Sequence, residues 1–140
     1  MNFSEKDLVV RRSTLPAAGQ GLFTKLFIPK GTRIVEYKGK ISTWKEATQK
    51  NIENAYVYYI TRNKVIDASS YKKAKGRFAN DARGLKKIRG LLNNATYTIQ
   101  DDHVFIQAIK DIPAGSEIFV SYGKEYWDAI RYNLRLDGKL

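Results

Sequence analysis

The apolar positions of this chain fall in short alternating runs broken by glycine and proline, a pattern that predicts many short strands and few helices. Leu8 to Arg12 reads as a first strand. The turn Pro16-Ala-Ala-Gly-Gln-Gly21 follows, and Leu22-Phe23-Thr24 then resumes extended structure. Ile28-Pro-Lys-Gly31 predicts a second turn, and Arg33 to Tyr37 a β-branched strand that delivers Tyr37 next to Lys38-Gly39. The pattern returns late in the chain, where Ile28-Pro-x-Gly-x-x-Ile34 is echoed by Ile112-Pro-x-Gly-x-x-Ile118. Each copy runs on to a tyrosine followed within two residues by glycine. Two readings are open: a faint internal duplication, or two hairpins that share good turn chemistry.

Between the copies, Thr43-Trp-Lys-Glu46 fits a capping box and predicts a short helix from Trp44 to the region of Asn51. Tyr56 to Ile60 is a strand, and Arg62-Asn63-Lys64 turns it into Val65-Ile66-Asp67. A period of two puts Tyr56 and Tyr58 on one face and Tyr59 on the other. Lys72 to Asn94 reads as long loops around one helical turn. Thr96–Gln100 and Val104–Ile109 form a hairpin about Asp101-Asp102, and the Pro113-Ala-Gly115 turn leads into the strand that begins at Glu117. Tyr126, Ile130 and Leu134 mark one face of a short C-terminal helix over residues 124–136. The absence of βαβ alternation excludes a doubly wound sheet and leaves a β-dominated fold of several small sheets.

At 140 residues and 43% hydrophobic content, the expectation is one domain over residues 1–140 with its core at about 8–127. There is no cysteine, which removes disulfides, thiolate zinc and cysteine nucleophiles, and the single histidine, His103, cannot build a histidine-cluster metal site. No metal is expected. The polar start Met-Asn-Phe-Ser-Glu-Lys-Asp and the lack of a membrane-length apolar run predict a soluble, intracellular protein with no membrane partner. A net charge of +11 biases encounter toward acidic or nucleic-acid-associated partners. The charge is densest at Lys72, Lys73, Lys75 and Arg77, and again at Arg83, Lys86, Lys87 and Arg89, though such runs also form plain solvated faces.

Chemistry has few carriers left. Neither a phosphate-binding loop nor a dinucleotide fingerprint is present, and the lone Gly19-Gln20-Gly21 could face a carboxylate or phosphate with its amides or could simply permit a turn. Tyr122, at a strand end where Gly123 lets the backbone turn away, can aim its hydroxyl into a cleft. Tyr122, Tyr126 and Trp127 could equally be ordinary packed aromatics.

The order of motifs narrows the choice. Gly19-Gln-Gly-Leu-Phe23, Glu36-Tyr-Lys-Gly39, Tyr56-Val-Tyr-Tyr-Ile60, Asp67-Ala-Ser, Gly76-Arg-Phe-Ala-Asn80, Ile112-Pro-Ala-Gly-Ser-Glu-Ile118 and Ser121-Tyr-Gly123 together resemble the SET-domain protein lysine methyltransferases, over about residues 8 to 127. The resemblance implies a SET fold in which the Arg-Phe-x-Asn segment threads beside the Tyr-Gly strand in a pseudo-knot. It implies S-adenosyl-L-methionine as cofactor, held by Gly19, Gln20, Gly21 and Leu22 and by Asn80 and Asp81. Tyr122 is then the principal active-site phenol, Tyr37 and Tyr56 line the lysine channel, and Trp127 packs on the adenine. Val120 occupies the position two before that tyrosine, where the family tends to have Tyr or Phe. If its side chain faces the lysine, a smaller residue without a hydroxyl implies room for di- or trimethyl-lysine; Val120 could equally be a β-branched core residue of the strand.

Two departures stand out. The family usually has Asn-His-Ser where this chain has Asn80-Asp81-Ala82, and zinc-binding cysteines after the domain are absent. The loop Ala82 to Asn93 is also longer than usual before the next matching asparagine, Asn94. The implied partner is a protein substrate with a target lysine, a histone or another basic or nucleic-acid-associated protein. The implied location is the nucleus and chromatin if the source is eukaryotic, the cytoplasm if bacterial. Competing readings are a non-catalytic basic SET-like chromatin or nucleic-acid-binding module, and a small-molecule methyltransferase on the same scaffold.

Overall fold

A computed structural model describes residues 4–16, 18–48, 57–61, 63–83, 90–101, 103–123, 127–128, 131–132, 135–136 and 138. Its strands are β1 (Leu8–Arg12), β2 (Gln20–Thr24), β3 (Arg33–Glu36), β4 (Lys40–Ser42), β5 (Val57–Thr61), β6 (Lys64–Asp67), β7 (Ala95–Gln100), β8 (His103–Ala108) and β9 (Glu117–Ile118), with helix α1 at Trp44–Thr48. They form three three-stranded sheets ordered β1-β2-β9, β3-β8-β7 and β4-β6-β5. The chain divides into two compact units, residues 1–37 with 74–121, and residues 38–73 with 122–140.

The first unit contains two of the sheets. β2 lies between β1 and β9, with Val10 opposite Leu22 and Leu22 opposite Ile118. Leu8, Leu22 and Ile118 are fully buried, and each such side chain contributes about 1.5–3 kcal/mol of hydrophobic stabilisation. In β8 the alternation is complete: Val104, Ile106 and Ala108 are buried while His103, Phe105 and Gln107 are more exposed. The β7–β8 hairpin turns at Asp101, whose φ of 51° is left-handed and suits aspartate.

The repeated Ile-Pro-x-Gly turns face each other. Ile28 and Ile112 exchange two backbone hydrogen bonds of 2.8 Å and are both fully buried. Each turn closes the same way, Thr32 N–H donating to Pro29 and Ser116 N–H to Pro113, both at 3.2 Å. The shared turn chemistry thus brings the two segments into a two-residue antiparallel bridge.

Beyond β9 the chain enters a clasp. Val120 N–H donates to the Asn80 carbonyl at 2.8 Å, while the Phe119 carbonyl accepts from the amides of Asn94 and Ala95 at 3.0 Å. The Asn94 side chain completes the grip. Its Nδ2 donates to the Glu117 carbonyl at 3.0 Å, and its Oδ1 accepts from Phe119 N–H at 2.9 Å. Asn80 and Ala95 are therefore each bridged in parallel to the segment that runs between them. This is the threading implied by the motif order, and a 3₁₀ turn at Lys75–Phe78 leads into it. Gly76 of that turn is needed for close approach, since a Cβ there would lie 2.7 Å from the Glu36 carbonyl oxygen.

The second unit holds β4-β6-β5, with Val57, Val65, Ile66 and Ala68 buried. The Thr43 hydroxyl accepts from Glu46 N–H at 3.2 Å at the start of α1, so the cap forms as expected, and residues 49–51 of the anticipated helix lie outside the described residues. Near the C-terminus residues 127–128, 131–132 and 135–136 are helical, with Arg131 and Asp128 paired at 3.7 Å. Tyr126, Ile130 and Leu134 lie outside the described residues. Among those described, no helix is long and apolar enough to cross a membrane.

Candidate functional site

A cleft of about 330 Å³ opens on the first unit between the stretch Arg12 to Pro16 and the Gly19-Gln20 backbone. That volume is in the range of small-molecule sites. The loop that frames it is closed at its base by Ser13 N–H donating to the Gly19 carbonyl at 2.8 Å, and Gly19 takes a φ of 72°. Arg12, Ser13, Thr14, Leu15 and Pro16 line its other side, a set that mixes one cationic, two hydroxyl and two apolar residues. Gly19 and Gln20 line this cleft, while Leu22 is fully buried in the sheet.

Under the rim sits a carboxylate. Glu117, only 5% exposed, accepts the Ser13 hydroxyl at 2.6 Å, Thr14 N–H at 2.8 Å and the Thr14 hydroxyl at 2.7 Å. Its Oε2 also accepts from Asn80 Nδ2 at 3.5 Å, and that same amide donates to the Gln20 carbonyl at 3.0 Å. Asn80 therefore joins the Gly-x-Gly strand to the threaded segment. A buried carboxylate needs such donors, because burial without them costs several kcal/mol.

Asp81, 8% exposed, turns to its own loop. Its Oδ1 accepts Arg83 N–H at 2.8 Å and Asn93 Nδ2 at 3.0 Å, while Asn93 Oδ1 accepts Ala82 N–H at 2.8 Å. The aspartate that replaces the family's histidine thus ties together the two ends of the long 82–93 loop. Ala82 packs with Leu15 and Phe119 in a small buried cluster behind the cleft wall.

Tyr37, 4% exposed, has its ring edge-on to Tyr97 with centroids 5.6 Å apart, and its N–H donates to Val104 at 2.7 Å. Val120 is fully buried. In the second unit, Tyr122 and Trp127 stack with centroids 5.5 Å apart and planes 12° from parallel. Tyr58 in the same unit is half-buried, and burial raises its phenol above the ordinary value of 10.0. Tyr56 lies outside the described residues.

Of the basic runs, Lys75 is already engaged, its Nζ donating to the carbonyls of Glu5 at 2.7 Å and Leu8 at 3.0 Å. Arg77 lies 4.9 Å from the Phe78 ring, and Lys86, Lys87 and Arg89 are outside the described residues. Sequence reasoning missed Ser13, Thr14, Asn93 and above all Glu117. The available signal was the Glu inside the repeated turn motif, where a strand otherwise apolar carries one charge.

The sequence matches the SET-domain family over residues 19–123. It is 28% identical over 130 residues to histone-lysine N-methyltransferase EZH2 of Chaetomium thermophilum, a match covering 86% of this chain and 8% of that protein. A solved structure of a humanized mutant of the C. thermophilum Polycomb Repressive Complex 2, bound to the inhibitor GSK126, shares the fold with a TM-score of 0.68 at 25% identity, over 89% of this chain and 16% of that one. A second, ctPRC2 in an autoinhibited conformation bound to S-adenosylmethionine, gives a TM-score of 0.67 at 23% identity over 94% and 17%. This chain spans a small fraction of the length of these relatives. The matched residues nonetheless run from Gly19 on the cleft rim to Gly123 of the Tyr-Gly pair and take in most of the sequence, so the chain belongs to the SET-domain family.

Proposed function

We propose that this chain is an S-adenosylmethionine-dependent methyltransferase acting on lysine side chains of a protein. The observation that carries the reading is the cleft rimmed by Gly19 and Gln20 and braced by the Asn80 amide, in a chain of this family. Its volume, its Arg12 cation and its apolar Leu15 and Pro16 suit a ligand that combines a carboxylate with apolar and aromatic parts. When bound, S-adenosylmethionine supplies an electrophilic methyl group on a sulfonium.

Lysine Nζ forms the new carbon–nitrogen bond as the carbon–sulfur bond breaks, and a thioether leaves. The amine must be neutral, although its unperturbed pKa is about 10.4, so the ammonium proton departs to water beforehand. Aromatic, water-poor surroundings such as those of Tyr37 and Tyr97 favour the neutral amine. We assign the Tyr122 phenol to orienting the amine and the polarised methyl group. Val120, lacking a hydroxyl, is assigned to a product range beyond monomethyl-lysine. With +11 net charge the protein favours an acidic or nucleic-acid-associated target over an isolated basic peptide. A histone on chromatin fits that description, in keeping with the name of the C. thermophilum relative.

The second reading, a binding module without catalysis, draws on Asp81, whose carboxylate is committed to Arg83 and Asn93. Calorimetric titration with S-adenosylmethionine separates the two. Saturable binding supports the enzyme; no heat at millimolar cofactor supports the module. Transfer to intact protein but not to free lysine then excludes a small-molecule substrate.

A further inference from the structure

We infer that Glu117 is the positioning residue of the cleft, and that its carboxylate, not contact with a cofactor, is what demands glycine at position 21. The part concerning cofactor affinity rests on the function proposed above; the part concerning Gly21 does not.

The geometry is convergent. One carboxylate accepts from two residues of the cleft wall, through the Ser13 hydroxyl and through the amide and hydroxyl of Thr14. It also accepts from the Asn80 amide that holds the Gln20 carbonyl on the opposite rim. Ser13 is 104 positions away in sequence, so Glu117 sets the spacing between segments that have no local reason to be adjacent. Further along the wall, Leu15 N–H donates to the Ser13 hydroxyl at 3.0 Å, which passes the constraint to the next residue. None of these groups needs a ligand to be satisfied: the cleft is organised in advance.

Gly21 is explained by the same carboxylate. Its φ is not left-handed, yet a Cβ there would overlap Glu117 Oε2 and lie 3.0 Å from Glu117 Cδ and 3.2 Å from Ser13 Cα. The second glycine of the motif therefore makes room for a protein side chain.

Glu117→Gln tests the positioning role. An amide oxygen can still accept from Thr14, but the amide nitrogen must face Asn80 Nδ2, donor against donor. The expected result is at least a tenfold or so weaker affinity for S-adenosylmethionine by calorimetry, from the loss of charge-assisted bonds. Thr24→Val is the control. It removes a buried hydroxyl that bonds Leu26 at the far end of β2, at 2.6 and 3.2 Å, and should lower Tm while leaving affinity within about twofold. If Glu117→Gln binds like wild type, or if Thr24→Val loses as much affinity, binding follows global stability and the role is overturned.

For Gly21, thermal unfolding of Gly21→Ala should show a Tm loss above about 5 °C in the wild-type background and less than half of that beside Glu117→Ala. Equal losses in the two backgrounds overturn the steric claim. Should Glu117→Ala not fold, Glu117→Ser serves as the background. Wild-type protein that binds no S-adenosylmethionine overturns the proposed function itself, and the Tm pair still decides what dictates the glycine.

Discussion

The stretches Ile28–Ile34 and Ile112–Ile118 follow one pattern, close with the same turn and meet through two 2.8 Å hydrogen bonds, yet their charged residues lie in opposite environments. In the first copy Arg33 is exposed, lies 3.9 Å over the Phe105 ring and donates to Gln100 Oε1 at 2.9 Å. In the second copy Glu117 is 5% exposed and organises the cleft wall. Local turn chemistry fixes where each chain segment reverses. What lies across from the segment fixes whether its charge is surface decoration or the hub of a site.

The sharpest way to break that contrast is to truncate both charges. Glu117→Ala leaves the Ser13, Thr14 and Asn80 donors without their acceptor and should cost about 2–4 kcal/mol of stability in urea unfolding. Arg33→Ala removes an exposed cation–π contact and one hydrogen bond, and should cost less than about 1 kcal/mol. Similar midpoints for the two variants would erase the distinction.

The comparison extends to the tyrosines to which each copy leads. Tyr122→Phe should lower turnover at least about tenfold, or ~1.4 kcal/mol of transition-state stabilisation, with little change in cofactor affinity. Tyr37→Phe keeps the edge-on contact with Tyr97 and should lose less. Turnover near wild type in the Tyr122 variant would remove that phenol from the mechanism.

Much of the frame was legible because its signals are local. β1 occupies the predicted Leu8–Arg12, the β7–β8 hairpin turns at Asp101, Thr43 caps α1, and the Ile-Pro-x-Gly turns form as read. The ordered motifs also carried the family and its threaded clasp. The organisation of the cleft was not legible, since Glu117 and Asn93 act on partners far away in sequence or across a long loop. Nothing in the sequence around Glu117 names Ser13, Thr14 or Asn80 as its partners. Lys75 shows the same limit: a residue from a basic run binds two backbone carbonyls that the sequence does not name.

The smallest expected effect concerns the second unit. Tyr58 has its pKa raised by burial, so above pH 10 or so the unfolded chain ionises this phenol before the folded one does. The unfolded state then binds fewer protons, and stability falls as pH rises through the folded value. Its contribution is fully present below the unfolded pKa. Tyr58→Phe should flatten this alkaline limb, and an unchanged limb would assign it to other groups.

Methyl transfer to a protein lysine by this chain can be read directly. The direct measurement is mass spectrometry of a histone and nucleosome mixture incubated with the protein and labelled S-adenosylmethionine from neutral to alkaline pH. Labelled methyl groups are expected on lysine, beyond monomethyl, increasing with pH as the amine becomes neutral and strongly reduced in Tyr122→Phe. Protein that binds the cofactor by calorimetry yet leaves every lysine unlabelled at every pH would rule out lysine methyl transfer by this chain.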